Sequence, residues 1–271
     1  MTDQYFVIGN PVEHSRSPEI HRMFAEQTGQ KMYYGKFLAP EGGFGEALTA
    51  LIDEGIRGAN ITDPFKEDAF VLCSDRTDRA ERARAINTLV VNKEGKCLGD
   101  NTDGAGMLTD LIHNHQIELK GKHIMVLGAG GAVRGVIEPL LDQQPECLLI
   151  ANRTPEKARA LADDFRTLGN ITGGGFDDLG DRSYDVIING TSAGLQGKTP
   201  PIAHSVLRDG GVTYDMLYGS EPTPFVRWGQ DAGASKALDG LGMLVEQAAQ
   251  SFYLWRAQRP DTRAVIEHLR K

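Results

Sequence analysis

The amino-acid sequence predicts an α/β protein made of two domains. Short apolar segments alternate with segments of helical periodicity along most of the chain, which favours a parallel or mixed sheet flanked by helices. The length of 271 residues exceeds that of one average domain. A glycine cluster at residues 128–131 joins one apolar segment directly to a helical pattern, as expected of a strand, a tight turn and a helix.

The first part of the chain begins at once with a strand, a glycine turn and a helix. We predict strands over residues 5–8, from 32 onward, over 56–61 and over 85–91, and helices over residues 18–28, 43–53 and 76–85. The glycine-containing segment 99–106 then opens a predicted helix over residues 104–115, which leads into the second domain. This alternation predicts an N-terminal α/β domain with a mostly parallel sheet.

The second part continues the alternation. We predict strands over residues 123–127, 147–151, 184–189, 212–215 and 236–238, a glycine-rich turn at 173–175 and a short helix near 223. Two C-terminal helices, at residues 241–257 and 261–270, are predicted to return to the first domain. The first domain therefore comprises residues 1–103 plus 240–271, and the second comprises residues 104–239.

The glycine cluster predicts a phosphate site. Residues 124–127 lack polar alternation, as expected of a parallel strand that is covered on both faces. Gly128, Gly130 and Gly131 remove the Cβ atoms that would block a phosphate, so that backbone N–H groups can face an anion. The third glycine position of the G-x-G-x-x-G/A pattern falls on Val133, so the match is incomplete. The second domain is therefore predicted to be a Rossmann-like, dinucleotide-binding domain.

The end of the next strand indicates which dinucleotide binds. An NAD-binding domain places an acidic residue there to bind the ribose 2′-hydroxyl, whereas this chain has Asn152-Arg153-Thr154. A planar guanidinium matches the oxygens of a 2′-phosphate, which favours NADP over NAD. The alternative is that Thr154, followed by Pro155 and Glu156, serves only to cap the next helix.

Composition excludes several classes of partner. The net charge of −8 and the pI near 5.4 argue against nucleic acid and anionic membrane surfaces. No segment is apolar for long enough to span a bilayer. The three scattered cysteines, Cys73, Cys97 and Cys147, indicate reduced thiols in a cytoplasmic protein, and no metal-ligand spacing is present. We predict that His14 and His21 face solvent. The oligomeric state stays open, with a homodimer among the alternatives.

Polar side chains recur at the predicted strand ends of the first domain. Ser15 and Ser17 precede the first helix, Lys66 follows the third strand, and Asn87 lies inside an otherwise apolar predicted strand. Asp103 follows in a turn. Together they supply hydroxyls, an amide, an ammonium and a carboxylate, which suit a small polyhydroxylated acid. The alternatives are that Ser17 and Asp103 cap helices, that Lys66 is a solvated surface lysine, and that Asn87 only fixes a loop.

Ten collinear motifs, which cover nearly the whole chain, resemble those of the shikimate dehydrogenase family. They are Ser15-Arg-Ser17-Pro18, Asn60-Ile-Thr62-x-Pro64-x-Lys66, Ala85-Ile-Asn87-Thr88, Asn101-Thr-Asp103-Gly104-x-Gly106, Gly128-Ala-Gly-Gly-Ala132, Asn152-Arg-Thr154, Asn189-x-Thr-Ser192-x-Gly194, Asp215-x-x-Tyr218, Thr223-Pro-Phe225 and Asp239-Gly-x-Gly-Met-Leu-x-x-Gln247. Several of these motifs are specific to that family rather than to nucleotide-binding folds in general.

The resemblance implies a role for each matching residue. On the substrate side it implies that a carboxylate binds Ser15, Ser17 and Tyr218, and that ring hydroxyls and the reacting oxygen bind Thr62, Lys66, Asn87, Asp103 and Gln247. Lys66 and Asp103 would be catalytic. On the cofactor side it implies pyrophosphate binding by Gly128, Ala129, Gly130, Gly131 and Ala132, and 2′-phosphate binding by Asn152, Arg153, Thr154, Pro155, Glu156 and Lys157. It also implies that Asp78, Met216 and Gly240 lie near the nicotinamide.

The implied activity is the reversible, NADPH-dependent reduction of 3-dehydroshikimate to shikimate, on the route to chorismate and the aromatic amino acids. The rivals are a quinate/shikimate dehydrogenase that uses NAD, and a nucleotide-sensing regulator without turnover. Arg153 argues against the first, and Lys66 with Asp103 argues against the second. Asp63 departs from the family pattern, in which an apolar residue is more usual. It weakens binding of an acidic substrate if it faces the site, and has no such effect if it points away.

Overall fold

The computed structural model describes residues 2–271, which divide into two compact units. Of the described residues, unit 1 comprises 2–106 and 245–271, and unit 2 comprises 107–244. The chain passes from one unit to the other within one helix and returns within another. Each unit has a sheet of its own.

The elements follow one another in the alternating order that the sequence predicts. The strands are β1 (Asp3–Gly9), β2 (Met32–Leu38), β3 (Gly58–Ile61), β4 (Asp75–Arg76), β5 (Thr88–Val91), β6 (Cys97–Asp100), β7 (His123–Leu127), β8 (Cys147–Ala151), β9 (Ile171–Gly174), β10 (Tyr184–Asn189), β11 (Leu207–Asp215) and β12 (Lys236–Leu238). The helices are α1 (Ser17–Thr28), α2 (Phe44–Asp53), α3 (Lys66–Leu72), α4 (Asp78–Ala83), α5 (Asp103–Thr109), α6 (Gly131–Asp142), α7 (Pro155–Phe165), α8 (Pro224–Asp231), α9 (Leu241–Arg256) and α10 (Thr262–Leu269). A π-helical turn, Asp110–Asn114, continues α5.

The sheet of unit 2 has six strands in the order β12-β11-β10-β7-β8-β9, and every neighbouring pair is parallel. Its central strands are covered on both faces, as their unbroken apolar runs predict. Ile124 and Val126 of β7 lie in one core, whereas Met125 and Leu127 lie in a second core on the opposite face. This all-parallel, doubly covered sheet confirms the Rossmann-like fold.

The sheet of unit 1 has six strands in the order β2-β1-β3-β5-β6-β4. The pairs β1·β2, β1·β3 and β4·β6 are parallel, whereas β3·β5 and β5·β6 are antiparallel. The sheet is therefore mixed, with a parallel majority. The loops that follow β3 and β6 lead into α3 and α5, the helices that begin at Lys66 and Asp103.

The structure differs from the prediction at α3, at the turn 173–175 and at Asn87, and it adds the short strands β4 and β6. Helix α3 was not predicted, because Ala69 is its one buried residue and the exposed Val71 and Leu72 hide any amphipathic period. The predicted turn at 173–175 is in part strand β9. Gly173 occurs there because a Cβ would lie 2.2 Å from the carbonyl oxygen of Ala158. Asn87 precedes β5 rather than lying within it.

The helices of the described chain give no sign of a membrane span. Within residues 2–271, none combines the length and the apolar character needed to cross a bilayer.

Candidate active site

Lys66 and Asp103 form an ion pair in unit 1. Each is the first residue of its helix, and Lys66 Nζ lies 2.6 Å from Asp103 Oδ2. The side chains are only 25% and 11% exposed. Lys66 is therefore not the solvated surface lysine of the alternative interpretation. The pair is a partly buried, charge-assisted contact.

The local charges favour the ammonium form of Lys66. Burial alone would lower the pKa of Lys66, but attraction to Asp103, the hydrogen bond to it and a further attraction to Asp63 together raise this pKa above its ordinary value. Asp63 is exposed, yet it lies near enough to Lys66 to contribute to this effect. The unusual aspartate thus acts on the lysine itself.

Asn87 connects this ion pair to the neighbouring turn and to α9. Its Nδ2 donates to Asp103 Oδ1 over 2.7 Å, and it also lies 3.3 Å from Gln247 Oε1. The backbone N–H of Thr102 donates to Asn87 Oδ1 over 2.9 Å. The close approach of Gln247 is possible because Gly106 lacks a side chain, since a Cβ there would come within 2.6 Å of the Gln247 nitrogen. Four of the predicted substrate residues are therefore connected by direct contacts, which run from Lys66 to Asp103, from Asp103 to Asn87 and from Asn87 to Gln247.

Ser15, Ser17 and Thr62 lie at other loop ends of unit 1. Ser15 Oγ is 3.2 Å from Ser17 Oγ, so the two predicted carboxylate-binding hydroxyls are adjacent. Ser17 is the first residue of α1 and Arg16 is the N-cap, so the capping interpretation of Ser17 is wrong. Thr62 packs against Gly9, where a Cβ would come within 2.4 Å of Thr62 Cγ2.

The predicted pyrophosphate loop lies in unit 2 between β7 and α6. Gly128 has φ +108°, in the region that favours glycine, and a Cβ there would also lie 3.1 Å from the carbonyl oxygen of Gly190. A Cβ at Gly130 would meet no atom within 4 Å, so the loop leaves open space beside the first turn of α6. This loop, residues 128–132, presents the N-terminus of a twelve-residue helix, which suits an anion.

Val133, which replaces the third glycine of the pattern, is fully buried in the core of unit 2. The glycine at that position normally permits close packing of the helix against the sheet. Here the space is provided by Gly190, because a Cβ at Gly190 would lie 2.4 Å from Val133 Cγ2. The small residue that this packing requires is therefore at the end of β10 rather than in α6.

The predicted 2′-phosphate segment runs from the end of β8 into α7. Asn152 Nδ2 donates to the carbonyl oxygen of Thr154 over 3.0 Å, which shapes the turn. Thr154 is the N-cap of α7 by position, but its side chain makes no capping hydrogen bond. Arg153 and Lys157 are exposed, and Pro155 and Glu156 form the first turn of the helix. The segment thus presents two cations beside a helix N-terminus.

The residues predicted near the nicotinamide and the substrate carboxylate are divided between the units. In unit 2, Gly240 contacts Met216, since a Cβ at Gly240 would lie 2.3 Å from the carbonyl oxygen of Met216. Tyr218 is half-buried in the segment after β11. Asp78 belongs to unit 1, where it is exposed at the start of α4.

Family models match three parts of the chain. The substrate-binding domain of shikimate dehydrogenase matches residues 7–89, the shikimate/quinate 5-dehydrogenase model matches residues 110–198, and the C-terminal domain model of shikimate 5′-dehydrogenase matches residues 240–270. The chain belongs to the shikimate dehydrogenase family.

Relatives within the shikimate dehydrogenase family match over the full length. The shikimate dehydrogenase (NADP(+)) of Alkalilimnicola ehrlichii is 54% identical over 270 residues, which cover 100% of this chain and 99% of that protein. Among solved structures, the Ael1 enzyme from Pseudomonas putida has a TM-score of 0.92 at 41% identity, with 99% and 98% of the two chains covered. The shikimate 5-dehydrogenase of Thermus thermophilus, in complex with NADP(H) and shikimate, has a TM-score of 0.87 at 31% identity, with 99% of each chain covered.

A buried group of polar side chains, which the sequence did not reveal, contacts Asn87 on the side away from Asp103. Asn60 accepts a hydrogen bond from Tyr34 Oη over 2.7 Å and donates to the carbonyl oxygen of Asn87 over 3.2 Å. Ser251 of α9 lies 3.0 Å from Asn60 Nδ2. One signal was available: Ser251 follows Gln247 by four residues and so shares its helical face.

His21 also differs from its prediction, since it is fully buried rather than exposed. Its ring stacks on Tyr34 with centroids 4.2 Å apart and meets Phe24 edge to face. Within the described residues, neither ring nitrogen has a hydrogen-bond partner. Burial lowers the pKa of His21 to about 3, against a smaller opposing effect of the Asn60 side chain. His21 is therefore a neutral member of an aromatic cluster.

Proposed function

We propose that this chain is an NADP-dependent shikimate dehydrogenase, which interconverts 3-dehydroshikimate and shikimate on the route to chorismate. The observation that carries the proposal is the partly buried contact of Lys66 with Asp103, 2.6 Å long, in a chain of this family. A domain that only sensed a nucleotide would gain nothing from this pair. Burying two charges costs free energy, because water is removed from both. Such partly buried charged groups are typical of active sites, where they take part in the reaction.

Lys66 is suited to the proton chemistry of the reaction. Reduction of a ketone places negative charge on its oxygen, and that oxygen then needs a proton. The raised pKa of Lys66 keeps its ammonium charged, so Lys66 can stabilise the developing alkoxide. Asp103 holds the ammonium in place, and in the oxidation direction the pair can receive the proton.

The other polar residues of unit 1 are proposed to orient the substrate. The adjacent hydroxyls of Ser15 and Ser17 suit a carboxylate. Tyr218, which belongs to unit 2, is proposed to bind the same carboxylate. Thr62, Asn87 and Gln247 would bind ring hydroxyls, because each provides a donor or an acceptor beside Lys66 or at a neighbouring strand end. Substrate orientation of this kind supplies much of the rate in a two-reactant step.

Unit 2 has the features that a dinucleotide needs. The left-handed φ of Gly128, the open space beside Gly130 and the N-terminus of α6 fit a pyrophosphate. Arg153 and Lys157 fit a 2′-phosphate, and Met216 with Gly240 is proposed to lie near the nicotinamide, together with Asp78 of unit 1. When bound, NADPH supplies the hydride.

We further propose that the reaction takes place in the cytoplasm. Within the described chain the three cysteines are free thiols, which suits a reducing compartment.

No group of three or more His, Cys, Asp or Glu side chains in residues 2–271 is arranged to hold a metal ion.

One absorbance assay tests the function. The protein is given shikimate with NADP and then with NAD, followed by quinate with each cofactor, and formation of the reduced nicotinamide is recorded. We expect turnover with shikimate and NADP, and much slower turnover with NAD because it lacks the 2′-phosphate. Comparable rates with quinate and NAD would instead support a quinate/shikimate dehydrogenase. The absence of turnover with every pair of substrate and cofactor would contradict the proposal that the protein is an enzyme.

A further inference from the structure

The amide of Asn87 has a fixed orientation. The backbone N–H of Thr102 can only donate, so the atom 2.9 Å from it must be the Asn87 oxygen. The Asn87 nitrogen then faces Asp103 Oδ1 at 2.7 Å, where a carboxylate requires a donor. A rotation of the amide by half a turn would place oxygen against oxygen at Asp103. Any group that holds the Asn87 oxygen therefore also directs the nitrogen.

Two buried hydroxyls continue this arrangement away from Asp103. Thr88 Oγ1 lies 2.8 Å from Asn87 Oδ1, and Ser251 Oγ lies 2.8 Å from Thr88 Oγ1. Both side chains are fully buried, at 0% exposure. They come from β5 and α9, 163 positions apart in sequence, so their contact is a product of the fold.

Asn60 sets the direction in which these hydroxyls donate. Its Nδ2 is fixed by the carbonyl oxygen of Asn87 and lies 3.2 Å from Thr88 Oγ1 and 3.0 Å from Ser251 Oγ. An amide nitrogen cannot accept a hydrogen bond, so neither hydroxyl can donate to it, and each keeps its proton for another acceptor. For Thr88, that acceptor is Asn87 Oδ1. Ser251 can then donate to Thr88, or to the carbonyl oxygen of Gln247 at 3.0 Å.

We propose that Thr88 and Ser251 are positioning residues, which orient the Asn87 amide so that it holds Asp103 against Lys66. In this arrangement Ser251 donates to Thr88 rather than to the carbonyl oxygen of Gln247, Thr88 donates to Asn87, and Asn87 donates to Asp103, so that the donations run in one direction. Hydrogen bonds that point the same way polarise one another, and the chain ends on a carboxylate, where the polarisation stabilises negative charge. Neither hydroxyl needs to touch the substrate. The inference rests on the proposed function, because it concerns the same ion pair.

The test compares Thr88→Val, which keeps the shape and removes the hydroxyl, with Thr88→Ser, which keeps the hydroxyl. Thr213→Val is a matched control. Thr213 is also buried in a strand, but it lies in unit 2, and its hydroxyl makes no hydrogen bond within the described residues. For each variant, kcat, KM for shikimate and the pH profile of kcat/KM are measured with NADP.

We expect Thr88→Val to lower kcat about tenfold to a hundredfold and to move the acidic limb of the pH profile to higher pH, because the Asp103 carboxylate loses support. Thr88→Ser should retain most of kcat and the wild-type profile, and Thr213→Val should match the wild type. In an Asn87→Ala background, Thr88→Val should cause no further loss, since Asn87 is the residue through which Thr88 acts.

Three results would overturn the proposal: a wild-type kcat and pH profile for Thr88→Val, equal losses in Thr88→Val and Thr88→Ser, or full additivity with Asn87→Ala. If Thr88→Val does not fold, Ser251→Ala decides. For Ser251→Ala, a kcat loss smaller than that expected of Thr88→Val, with the acidic limb again displaced to higher pH, supports the proposed orientation of Asn87. Unchanged kinetics in Ser251→Ala refute it. A wild-type protein that is inactive with shikimate is a different outcome, which rejects the proposed function itself.

Discussion

Two arginines near the start of α7 differ in their partners. Arg153 is exposed before the helix, whereas Arg159 within it is paired with Asp178 at 3.2 Å and with Glu156 at 3.8 Å. We therefore predict that Arg153→Ala weakens NADPH binding about tenfold to a hundredfold, the value of one or two charge-assisted hydrogen bonds, and leaves NADH binding unchanged. Fluorescence titration with both cofactors measures this.

Arg159→Ala is the matched control for that titration, because it removes a nearby arginine whose charge is already balanced. It should leave the ratio of NADPH to NADH affinity at the wild-type value. An unchanged ratio in Arg153→Ala would remove Arg153 from the 2′-phosphate site.

The buried His21 predicts a pH dependence of stability. Its pKa is about 3 in the folded protein and about 6.5 in an unfolded chain, so the unfolded state binds the extra proton between these values. Stability from this group is fully present above pH 6.5 or so and declines by about 1.4 kcal/mol per pH unit as the pH falls toward 3. His21→Phe, which fits the aromatic surroundings, should remove this part of the slope.

Urea unfolding at a series of pH values measures the effect, with His14→Phe as the control. His14 is exposed, so its replacement should leave the slope as it is. A His21→Phe slope equal to that of the wild type would show that His21 is not held neutral in the fold.

The junction of β7, α6 and β10 depends on a single small residue. Because a Cβ at Gly190 would lie 2.4 Å from Val133 Cγ2, Gly190→Ala should displace the first turn of α6. We predict a loss of about 1–3 kcal/mol in the free energy of unfolding, and weaker NADPH binding. Val133→Ala in the same chain should recover part of both losses, because it removes the clashing methyl groups.

A double-mutant cycle of these two positions gives the outcome. The coupling free energy should be favourable and of the order of 1 kcal/mol. Additive losses would mean that Gly190 does not compensate for the missing third glycine.

The sequence predicted most of the fold for an identifiable physical reason. The strands of unit 2 are buried on both faces, so each appears as an unbroken apolar run, and the helices between them are long enough to show a period. The helix α3 and the short strands β4 and β6 bury too little to leave such a pattern. Gly173 suggested a turn because the sequence does not reveal that the backbone of α7 lies against it.

The residues of the candidate site that belong to the family's short sequence motifs were predictable from the sequence. The family motifs assigned Lys66, Asn87, Asp103 and Gln247 to one site, and direct contacts connect Lys66 to Asp103, Asp103 to Asn87 and Asn87 to Gln247. The partners of Asn87 on its other side were not predictable. Thr88 and Ser251 are hydroxyl residues whose proximity to each other results from a contact between segments that are distant in sequence. The burial of His21 was missed for the same reason.

The proposed catalysis depends on Lys66 acting with Asp103 on the substrate while unit 2 binds the cofactor. The direct measurement is kcat for shikimate oxidation by Lys66→Met, together with the Kd for NADPH and with the exposed Lys31→Met as control. We predict that Lys66→Met lowers kcat by roughly 10²–10⁴-fold with the NADPH affinity retained, and that Lys31→Met matches the wild type. A near-normal kcat in Lys66→Met, or equal losses of turnover and cofactor affinity, would contradict it.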